Sequence, residues 1–354
     1  GQRELIIGDR QTGKSAIGLD TIINQRDKNV ICIYCWIGGP LSGLKKSLYA
    51  LKEKGALKNT IVVASTADTS AAEQYLAPYT AAVLGEYFMD SKRDVFVVFD
   101  DLTKHAWIYR QMSLLLERSP GREAYPGDIF YLHSQLMERA GKFKKERGGG
   151  SMTFFPIVET LQGDITGYIQ TNLISMTDGQ IYISSNLFRE GFKPAIDLGL
   201  SVSRIGSKVQ SNAMKEVSKG LRLEYARYRE MLRVTKLRTH LSDEALSQMR
   251  RGEALQELFR QPNNQPVSQG EEIVLFYAFK RKILEQFPKD AQESFINGFF
   301  KHLSIADPGV IGLLEEARDL TKDIKARLDK CFIGFFKNLK PEKNRVADDN
   351  SGKT

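Results

Sequence analysis

The feature that most limits the fold of this 354-residue chain is a glycine-rich loop near its start, set between a strand-like and a helix-like segment. Residues 8–15 have the sequence GDRQTGKS, which matches the phosphate-loop pattern G-x-x-x-x-G-K-[ST]. The apolar run ELIIG enters the loop, and a segment with helical periodicity leaves it. In such a unit, backbone N–H groups and the helix N-terminus converge on phosphate groups. The motif therefore predicts a P-loop α/β domain that binds a nucleotide.

The side chains of this loop are candidate contacts for a nucleotide and its metal ion. Lys14 is predicted to pair with the outer phosphates, and the Ser15 hydroxyl to ligate Mg²⁺. Asp100 follows the apolar run VFVVF, where the aspartate that orients Mg²⁺ is expected, and Asp101 is expected to cap the next helix. The predicted cofactors are ATP or ADP and Mg²⁺. The predicted nucleotide contacts in the loop are Gly8, Asp9, Arg10, Gln11, Thr12, Gly13, Lys14 and Ser15.

Strand-like and helix-like segments alternate from this loop to about residue 210. The runs ELIIG, NVICIYCW, TIVVAS and DVFVVFD predict strands that are apolar on both faces, which implies a parallel sheet covered by helices on both sides. Further strands are predicted at MTFFPIVE, GYIQTNLIS and GQIYIS, and helices over 14–24, 41–54, 70–89 and 128–139.

After Gln210 the composition changes to Glu, Lys, Leu and Arg, with apolar residues at helical spacing. Helices are predicted over 214–258, 271–286 and 311–338. We predict an α/β domain over 1–210, an all-helical domain over 211–340 and a disordered polar tail over 341–354. Because the sequence begins directly before an apolar segment, we also expect that an N-terminal part is absent.

Composition narrows the class of protein. No apolar run approaches the length needed to span a bilayer, and three cysteines do not make a disulfide framework, which indicates an intracellular protein. Cys32 and Cys35 have the spacing of a redox or zinc motif but lie in a strand-like run, so we predict buried strand residues. The net charge of +8 allows nucleic acid, anionic lipid or an acidic neighbouring subunit as partner. Part of it lies between Lys215 and Arg238, in a pattern typical of a solvated helix face.

Hydrolysis at a P-loop needs a carboxylate that positions the attacking water. In ATPases with this kind of sheet, that residue often follows the strand after the P-loop helix. Here that strand ends in IGGP, residues 37–40, which has neither acid nor base. The next glutamates, Glu53 and Glu73, fall on helix-like segments, and His133 is expected to be structural. We therefore predict a site that binds nucleotide without efficient turnover.

Several long segments, in order and without gaps, resemble the α-subunit family of F-type ATP synthases. They are GQRELIIGDRQTGKS, QYLAPYTAAVLGEYFMD, FDDLTKHAWIYRQMSLLLERSPGREAYPGDIFYLHSQLMERA, TNLISMTDGQIYIS and LGLSVSRIGS. The resemblance implies a RecA-like nucleotide-binding domain followed by a helical C-terminal domain, with an N-terminal β-barrel missing here. It also implies a subunit that holds Mg-nucleotide without turning it over.

The resemblance further implies the partners and the location. Such subunits alternate with catalytic β subunits in an α3β3 ring around a central stalk γ subunit, with a peripheral stalk alongside. The complex would be peripheral to a membrane, at the cytoplasmic face of a bacterial plasma membrane or the matrix or stroma face of an organelle inner membrane. No nucleic acid partner is expected.

The resemblance assigns site residues outside the P-loop. Arg204 would be an arginine finger that reaches the neighbouring β site, a role worth about 10³–10⁵ in rate. Ser201, in the same stretch, resembles the other function-sensitive residue of the family. Contacts around the nucleotide would come from Phe188, Lys193, Pro194, Gln261 and Asn263.

The sequence departs from the family pattern at three of these places. Gly39 stands where the family usually has glutamine, and Lys193 where it usually has arginine. The family more often has Gln-Gly-Gln where this protein has Gln261-Pro262-Asn263. These departures put two expected contacts in question, namely a bidentate contact at residue 193 and the contact to adenine. They do not affect the expected binding of phosphate.

Two other functions fit the P-loop. A self-sufficient homohexameric export ATPase, of the flagellar or secretion type, would need a glutamate after the second strand, and IGGP argues against it. An RNA-translocating hexamer of the Rho type would suit the positive charge, but the basic stretches lack interleaved aromatic residues on which bases could stack.

Overall fold

The computed structural model describes residues 1–235, 243–284 and 289–338 and divides the protein into two compact units. One unit comprises Gly1–Lys208 with Arg260–Pro266, and the other comprises Val209–Phe259 with Val267–Thr354. The short segment Arg260–Pro266 thus belongs with the first unit, although helices of the second precede it in sequence. The predicted tail over 341–354 lies outside the described residues.

The first unit is built on an eight-stranded, mostly parallel sheet with the order β3-β2-β4-β6-β1-β7-β8, in which β5 pairs with β6. The β7–β8 and β5–β6 pairs are antiparallel, and the other pairs are parallel. The predicted parallel α/β fold is confirmed. The strands are β1 (Glu4–Asp9), β2 (Val30–Gly39), β3 (Thr60–Thr66), β4 (Asp94–Asp100), β5 (Gly141–Lys142), β6 (Ser151–Thr160), β7 (Gly179–Ile183) and β8 (Val202–Ser203).

Helices cover both faces of this sheet. On one face, Gly18 of the first helix packs directly against Val98 of β4. On the other, fully buried Ile33, Val97 and Phe154 join the apolar sides of later helices in one core. The helices of this unit are α1 (Lys14–Asn24), α2 (Leu41–Glu53), α3 (Ala71–Asp90), α4 (Leu102–Leu115), α5 (Ile129–Met137), α6 (Tyr168–Met176) and α7 (Ser185–Arg189).

One element of this unit differs in type from its prediction. The run GYIQTNLIS, residues 167–175, was predicted as a strand but forms all of α6 except its last residue, Met176. Its buried residues are Ile169, Leu173 and Met176, spaced four and then three residues apart, which is the period of a helix face. The β-branched residues favoured a strand, but burial of this apolar face against the core decides for the helix.

The second unit is helical throughout its described residues. The helix α12, of 18 residues, lies in a region where none was predicted, and the predicted helix over 311–338 is two helices separated near Arg318, which has φ 53°. Phe299 stacks on Phe332 within its core, and Phe295 packs against Phe332 with its ring tilted by 45°. The helices are α8 (Asn212–Ser218), α9 (Leu221–Thr235), α10 (Asp243–Leu258), α11 (Gln269–Lys280), α12 (Lys289–Ala306), α13 (Val310–Ala317) and α14 (Lys322–Asn338).

The two strand cysteines are buried, as predicted. Cys32 and Cys35 are fully buried free thiols, and an odd spacing on one strand sends their side chains to opposite faces. Burial raises the pKa of the Cys32 thiol to about 12 and raises that of Cys35 as well. Neither thiol is therefore suited to redox chemistry, and the two cannot bind one metal ion together.

No helix among the described residues has the length and apolar character required to cross a bilayer.

A buried histidine pair lies between α4 and α5. His105 Nδ1 is 3.3 Å from His133 Nε2, and the other ring nitrogen of His105 is 3.1 Å from the carbonyl oxygen of Tyr75. With the proton of His105 on Nε2, that nitrogen donates to Tyr75, and Nδ1 accepts from His133. Burial lowers the pKa of His105 to about 4, and burial together with the nearby His105 lowers that of His133 to about 3. His133 is thus structural, as the sequence suggested.

The pair predicts a loss of stability in acid. Both histidines titrate near pH 6.5 in the unfolded state but lower in the native state, so the unfolded state binds more protons below that pH. Each should remove up to about 1.4 kcal/mol of unfolding free energy per pH unit as pH falls from about 6.5 towards 4. We expect the double variant His105→Gln/His133→Gln to lose stability less steeply over this range in denaturant titrations. An unchanged slope would contradict a neutral buried pair.

Candidate functional site

The P-loop lies at the carboxyl end of β1, where it turns directly into α1. Gly13, the residue before α1, has φ 103°, and Gln11 has φ 62°, so the loop uses the left-handed region twice within three residues. Lys14 is 6% exposed. Its ammonium donates to the backbone carbonyl of Asp9 at 2.6 Å, and the Thr12 hydroxyl donates to the same oxygen at 2.7 Å. The lysine is thus folded back over its own loop, next to the helix N-terminus.

Ser15 and Asp100 are brought together although they lie far apart in sequence. The Ser15 hydroxyl hydrogen-bonds to the Asp100 carboxylate, and the Tyr34 hydroxyl donates to Oδ2 of the same carboxylate at 2.8 Å. Burial raises the pKa of Asp100, and the neighbouring Asp101 adds to this, while both hydrogen bonds oppose it. Asp101 accepts from the Lys104 backbone N–H at 2.9 Å, so it caps α4 as expected.

Magnesium is a cation for which this pair is chemically suited. A serine hydroxyl and a carboxylate are oxygen ligands, and Mg²⁺ usually takes one or two of them, completing its shell with phosphates and water. In the described part of the protein, no group of three or more His, Cys, Asp or Glu side chains could hold a metal. Ser15 and Asp100 could hold Mg²⁺ only together with bound phosphate or water.

Glu159 is a member of this site that the sequence analysis missed. It ends the apolar part of β6 and is the register partner of Gly8, so the sheet places it beside the P-loop. Burial lowers the pKa of Lys14, and Glu159 gives the largest opposing effect, ahead of Asp101 and Asp100. The signal was the same as that for Asp100, an acid at the end of an apolar strand, but no motif marked it.

Asp9 ties the P-loop to two later segments. Its carboxylate accepts from the Thr160 hydroxyl at 2.6 Å and the Gly163 backbone N–H at 2.7 Å, and also from the Ser185 hydroxyl. Burial alone would raise the pKa of Asp9, but the bonds from Ser185, Thr160 and Gly163 outweigh it and lower the pKa. Asp9 therefore fixes the shape of the loop. Arg10 and Gln11, by contrast, are exposed.

The end of β2 carries no side chain that could act on water. Gly38 and Gly39 end this strand, and a Cβ on Gly38 would lie 3.3 Å from Cβ of Lys104. These glycines follow Trp36, the register partner of Asp100, so they lie at the same end of the sheet as the Ser15–Asp100 pair. Glu73 is occupied elsewhere, in a capping box with Ser70 at the start of α3, and Glu53 ends α2.

The residues expected to contact the nucleotide outside the P-loop all belong to the first unit. The Lys193 ammonium is 5.0 Å from the centre of the Phe188 ring, and the Gln261 backbone N–H donates to the Lys193 carbonyl at 3.1 Å. Pro194 follows Lys193 directly, and Asn263 is exposed. The backbone N–H of Asn264 donates to Asp20 of α1, which joins this segment to the P-loop helix.

Arg204 and Ser201 lie on the β8 side of the sheet, Arg204 near the amino ends of β7 and β1 and Ser201 beside Tyr182, further along β7. Arg204 directly follows β8, whose Ser203 pairs with Gly179 at the start of β7. The guanidinium is exposed and donates to the carbonyls of Ile174, at 3.1 Å, and Ser175, at 3.4 Å, near the end of α6. Ser201 donates to the Asp197 carbonyl at 2.6 Å and accepts from the Tyr182 backbone N–H at 3.0 Å, which anchors this edge.

Comparison with known proteins identifies two consecutive family matches. The model of the nucleotide-binding domain of the ATP synthase alpha/beta family matches residues 1–203. The model of the C-terminal domain of the ATP synthase alpha/beta chain matches residues 210–335.

Similar curated proteins include "ATP synthase subunit alpha" from three bacteria. The Petrotoga mobilis protein is 48% identical over 336 residues, which is 95% of the present sequence and 67% of that protein. The Caldanaerobacter subterraneus protein is 48% identical over 335 residues, 95% of the present sequence and 66% of that protein. The Clostridium botulinum protein is 48% identical over 339 residues, 96% of the present sequence and 67% of that protein. The matched region thus spans about two thirds of the length of these relatives.

The Asp9 contacts predict a specific stability defect. We expect Asp9→Asn to lower the free energy of unfolding by about 1–3 kcal/mol, because the amide NH₂ cannot accept the bond from Ser185. The control is Asp90→Asn, at an exposed residue, which should change stability by under about 0.5 kcal/mol. Denaturant titration measures both.

The same defect should depend on pH. Because the native pKa of Asp9 is lowered, its contribution is complete above about pH 4 and is lost as pH falls through the native pKa. A difference between wild type and Asp9→Asn that grows in acid would contradict this assignment.

Proposed function

The protein belongs to the ATP synthase alpha/beta family, and we propose that it is a nucleotide-binding, non-catalytic alpha subunit of an F-type ATP synthase. The observation that carries the proposal is that Lys14, Ser15 and Asp100 lie close together at the P-loop while β2 ends at the same end of the sheet in two glycines. Such a site can hold a nucleotide but has no base at the position from which water is usually activated.

The bound ligand would be ATP or ADP with Mg²⁺. Lys14 would leave the Asp9 carbonyl and pair with the outer phosphates, while the P-loop N–H groups contact the remaining phosphate oxygens. Mg²⁺ would neutralise phosphate charge, with Ser15 and Asp100 on its protein side. Phe188, Lys193 and Pro194 would line the nucleotide pocket, and Gln261, with Asn263 at the exposed end of the same segment, would contact the adenine.

Glu159 has a place in this proposal. Its negative charge favours the protonated form of Lys14, which burial opposes. Its backbone N–H donates to the Thr103 hydroxyl, and its carbonyl accepts from Gln170 at 2.6 Å. We infer that its carboxylate keeps the phosphate lysine charged.

The contribution to turnover would come from Arg204, in a neighbouring active site. Arg204 is adjacent to the start of β7, which pairs with the start of β1, whereas the P-loop follows the end of β1. At about 3.3 Å per residue, the two ends of this six-residue strand are roughly 17 Å apart. An exposed arginine at that distance suits a phosphate on another subunit better than one bound to its own P-loop.

The assembly proposed is the alternating α3β3 ring with catalytic beta subunits, the central stalk gamma subunit and a peripheral stalk. The protein would work in ATP synthesis and hydrolysis coupled to proton transport, at the membrane surface and without nucleic acid. The homohexameric export ATPase is disfavoured because it requires a base after β2.

Nucleotide binding is tested by changing the phosphate lysine. We expect Lys14→Ala to weaken MgATP binding by about 10- to 100-fold, because it removes a charge-assisted contact to phosphate. Lys45→Ala, at an exposed residue of α2, is the matched control and should bind as the wild type does. Isothermal titration calorimetry of the purified protein measures both. Equal affinity in Lys14→Ala and wild type would remove the proposed site.

The role of Arg204 is tested by reconstitution with a catalytic beta partner. Arg204→Ala should reduce multisite ATP turnover by about 10³-fold or more, because the guanidinium no longer stabilises the negative charge of the transition state. Arg204→Lys should recover little of this, since a lysine cannot make the planar bidentate contact. Lys208→Ala, at a nearby exposed cation, is the control. Normal turnover in an assembled Arg204→Ala ring would rule out the finger.

A further inference from the structure

The indole of Trp36 lies against the glycines at the end of β2. A Cβ on Gly39 would lie 2.3 Å from Cζ2 and 2.5 Å from Cε2 of Trp36, and one on Gly43, in the first turn of α2, would lie 2.9 Å from Cη2. Carbon atoms do not approach so closely, so only glycine fits at 39 while the indole is there. The bare end of β2 and the indole are therefore two parts of one packing arrangement.

Trp36 also lies in the layer that holds the predicted metal ligand. It is the register partner of Asp100, and paired residues on neighbouring strands are about 5 Å apart and project to the same face. Tyr34, two residues earlier on that face, donates to Asp100, and its ring centre is 6.2 Å from that of Trp36. The indole thus borders the Ser15–Asp100 pair at the carboxyl edge of the sheet.

The indole carries a buried donor that has no partner. Trp36 is 8% exposed, and Nε1 has no hydrogen-bond partner among the described residues. An indole N–H can only donate, and buried donors are nearly always satisfied by protein, water or ligand. This Nε1 would be 2.9 Å from a Cβ on Gly39, so it occupies the start of the path that a side chain at 39 would take.

We propose that Trp36 replaces the side chain missing at residue 39: its ring excludes a water-activating carboxylate, and its Nε1–H donates to the terminal phosphate of a bound nucleoside triphosphate. The inference rests on the proposed nucleotide site at Lys14 and Ser15. An indole N–H stabilises phosphate charge but cannot accept a proton from water. Trp36 therefore favours a triphosphate over a diphosphate and helps to leave it intact.

The donor is tested by Trp36→Phe, which keeps an aromatic ring and removes the N–H. By calorimetry, MgATP affinity should fall about three- to tenfold, the effect of one neutral hydrogen bond, while MgADP affinity changes by less than about twofold. Trp107→Phe, at the half-exposed second tryptophan, is the matched control and should bind both nucleotides as the wild type does. In that control Trp36 is the sole tryptophan, so its fluorescence should respond more strongly to MgATP than to MgADP.

The outcomes separate this inference from the proposed function. If Trp36→Phe binds MgATP as the wild type does while Lys14→Ala does not, the indole donor is wrong and the nucleotide site stands. If Lys14→Ala also binds normally, the site itself is wrong, and the inference falls with it.

The exclusion of a side chain is tested by a double-mutant cycle on stability. Gly39→Ala should lower the melting temperature by several degrees in the wild type and by much less in a Trp36→Leu background, where the ring is gone. If Gly39→Ala does not fold, Trp36→Leu/Gly39→Ala should still fold. An equal cost in both backgrounds, or a double variant that also fails to fold, overturns the packing argument.

Discussion

A buried ammonium group, that of Lys14, is the charge around which the candidate site is arranged. An amine with so little exposure stays charged only if negative groups surround it, and the sheet supplies them from three strand ends. Asp9 provides its carbonyl from β1, Asp100 its carboxylate from β4, and Glu159 its carboxylate from β6. Because parallel strands end at one edge, residues distant in sequence meet there, and the P-loop helix begins at the same point.

The sequence identified the part of the site that is local. The P-loop, α1, the strand leading to Asp100 and the glycines after β2 all follow from short patterns, and the structure places them together. The place of Glu159 in the site could not be predicted in this way. It depends on β6, rather than β2, lying beside β1, and no local sequence pattern specifies the order of strands in a sheet. The α6 segment was mispredicted for a related reason: its β-branched residues favour a strand, and only burial of the Ile169–Leu173–Met176 face decides for a helix. The resemblance added what spacing could not, because it assigned both Lys193 and Gln261 to the nucleotide, and the structure joins these distant residues by a backbone hydrogen bond.

The two edges of the sheet carry different parts of the proposed chemistry. At the carboxyl edge, Lys14, Ser15 and Asp100 lie close together, and β2 ends in glycines packed against the Trp36 indole. This arrangement suits a site that keeps its ligand intact. The amino edge presents Arg204, at the other end of β1 from the P-loop. Its guanidinium is exposed and donates hydrogen bonds to two backbone carbonyls of α6. This separation explains how one protein could bind a nucleotide it does not consume while serving a reaction on another subunit.

The fate of the terminal phosphate of bound ATP tests this account most directly. The purified protein is loaded with MgATP labelled in the terminal phosphate, free nucleotide is removed, and the bound fraction is extracted in acid over several hours. The account predicts that the label remains in ATP throughout. Release of labelled phosphate by the wild-type protein, with no release in Lys14→Ala, would show that the site turns its nucleotide over and would contradict the account.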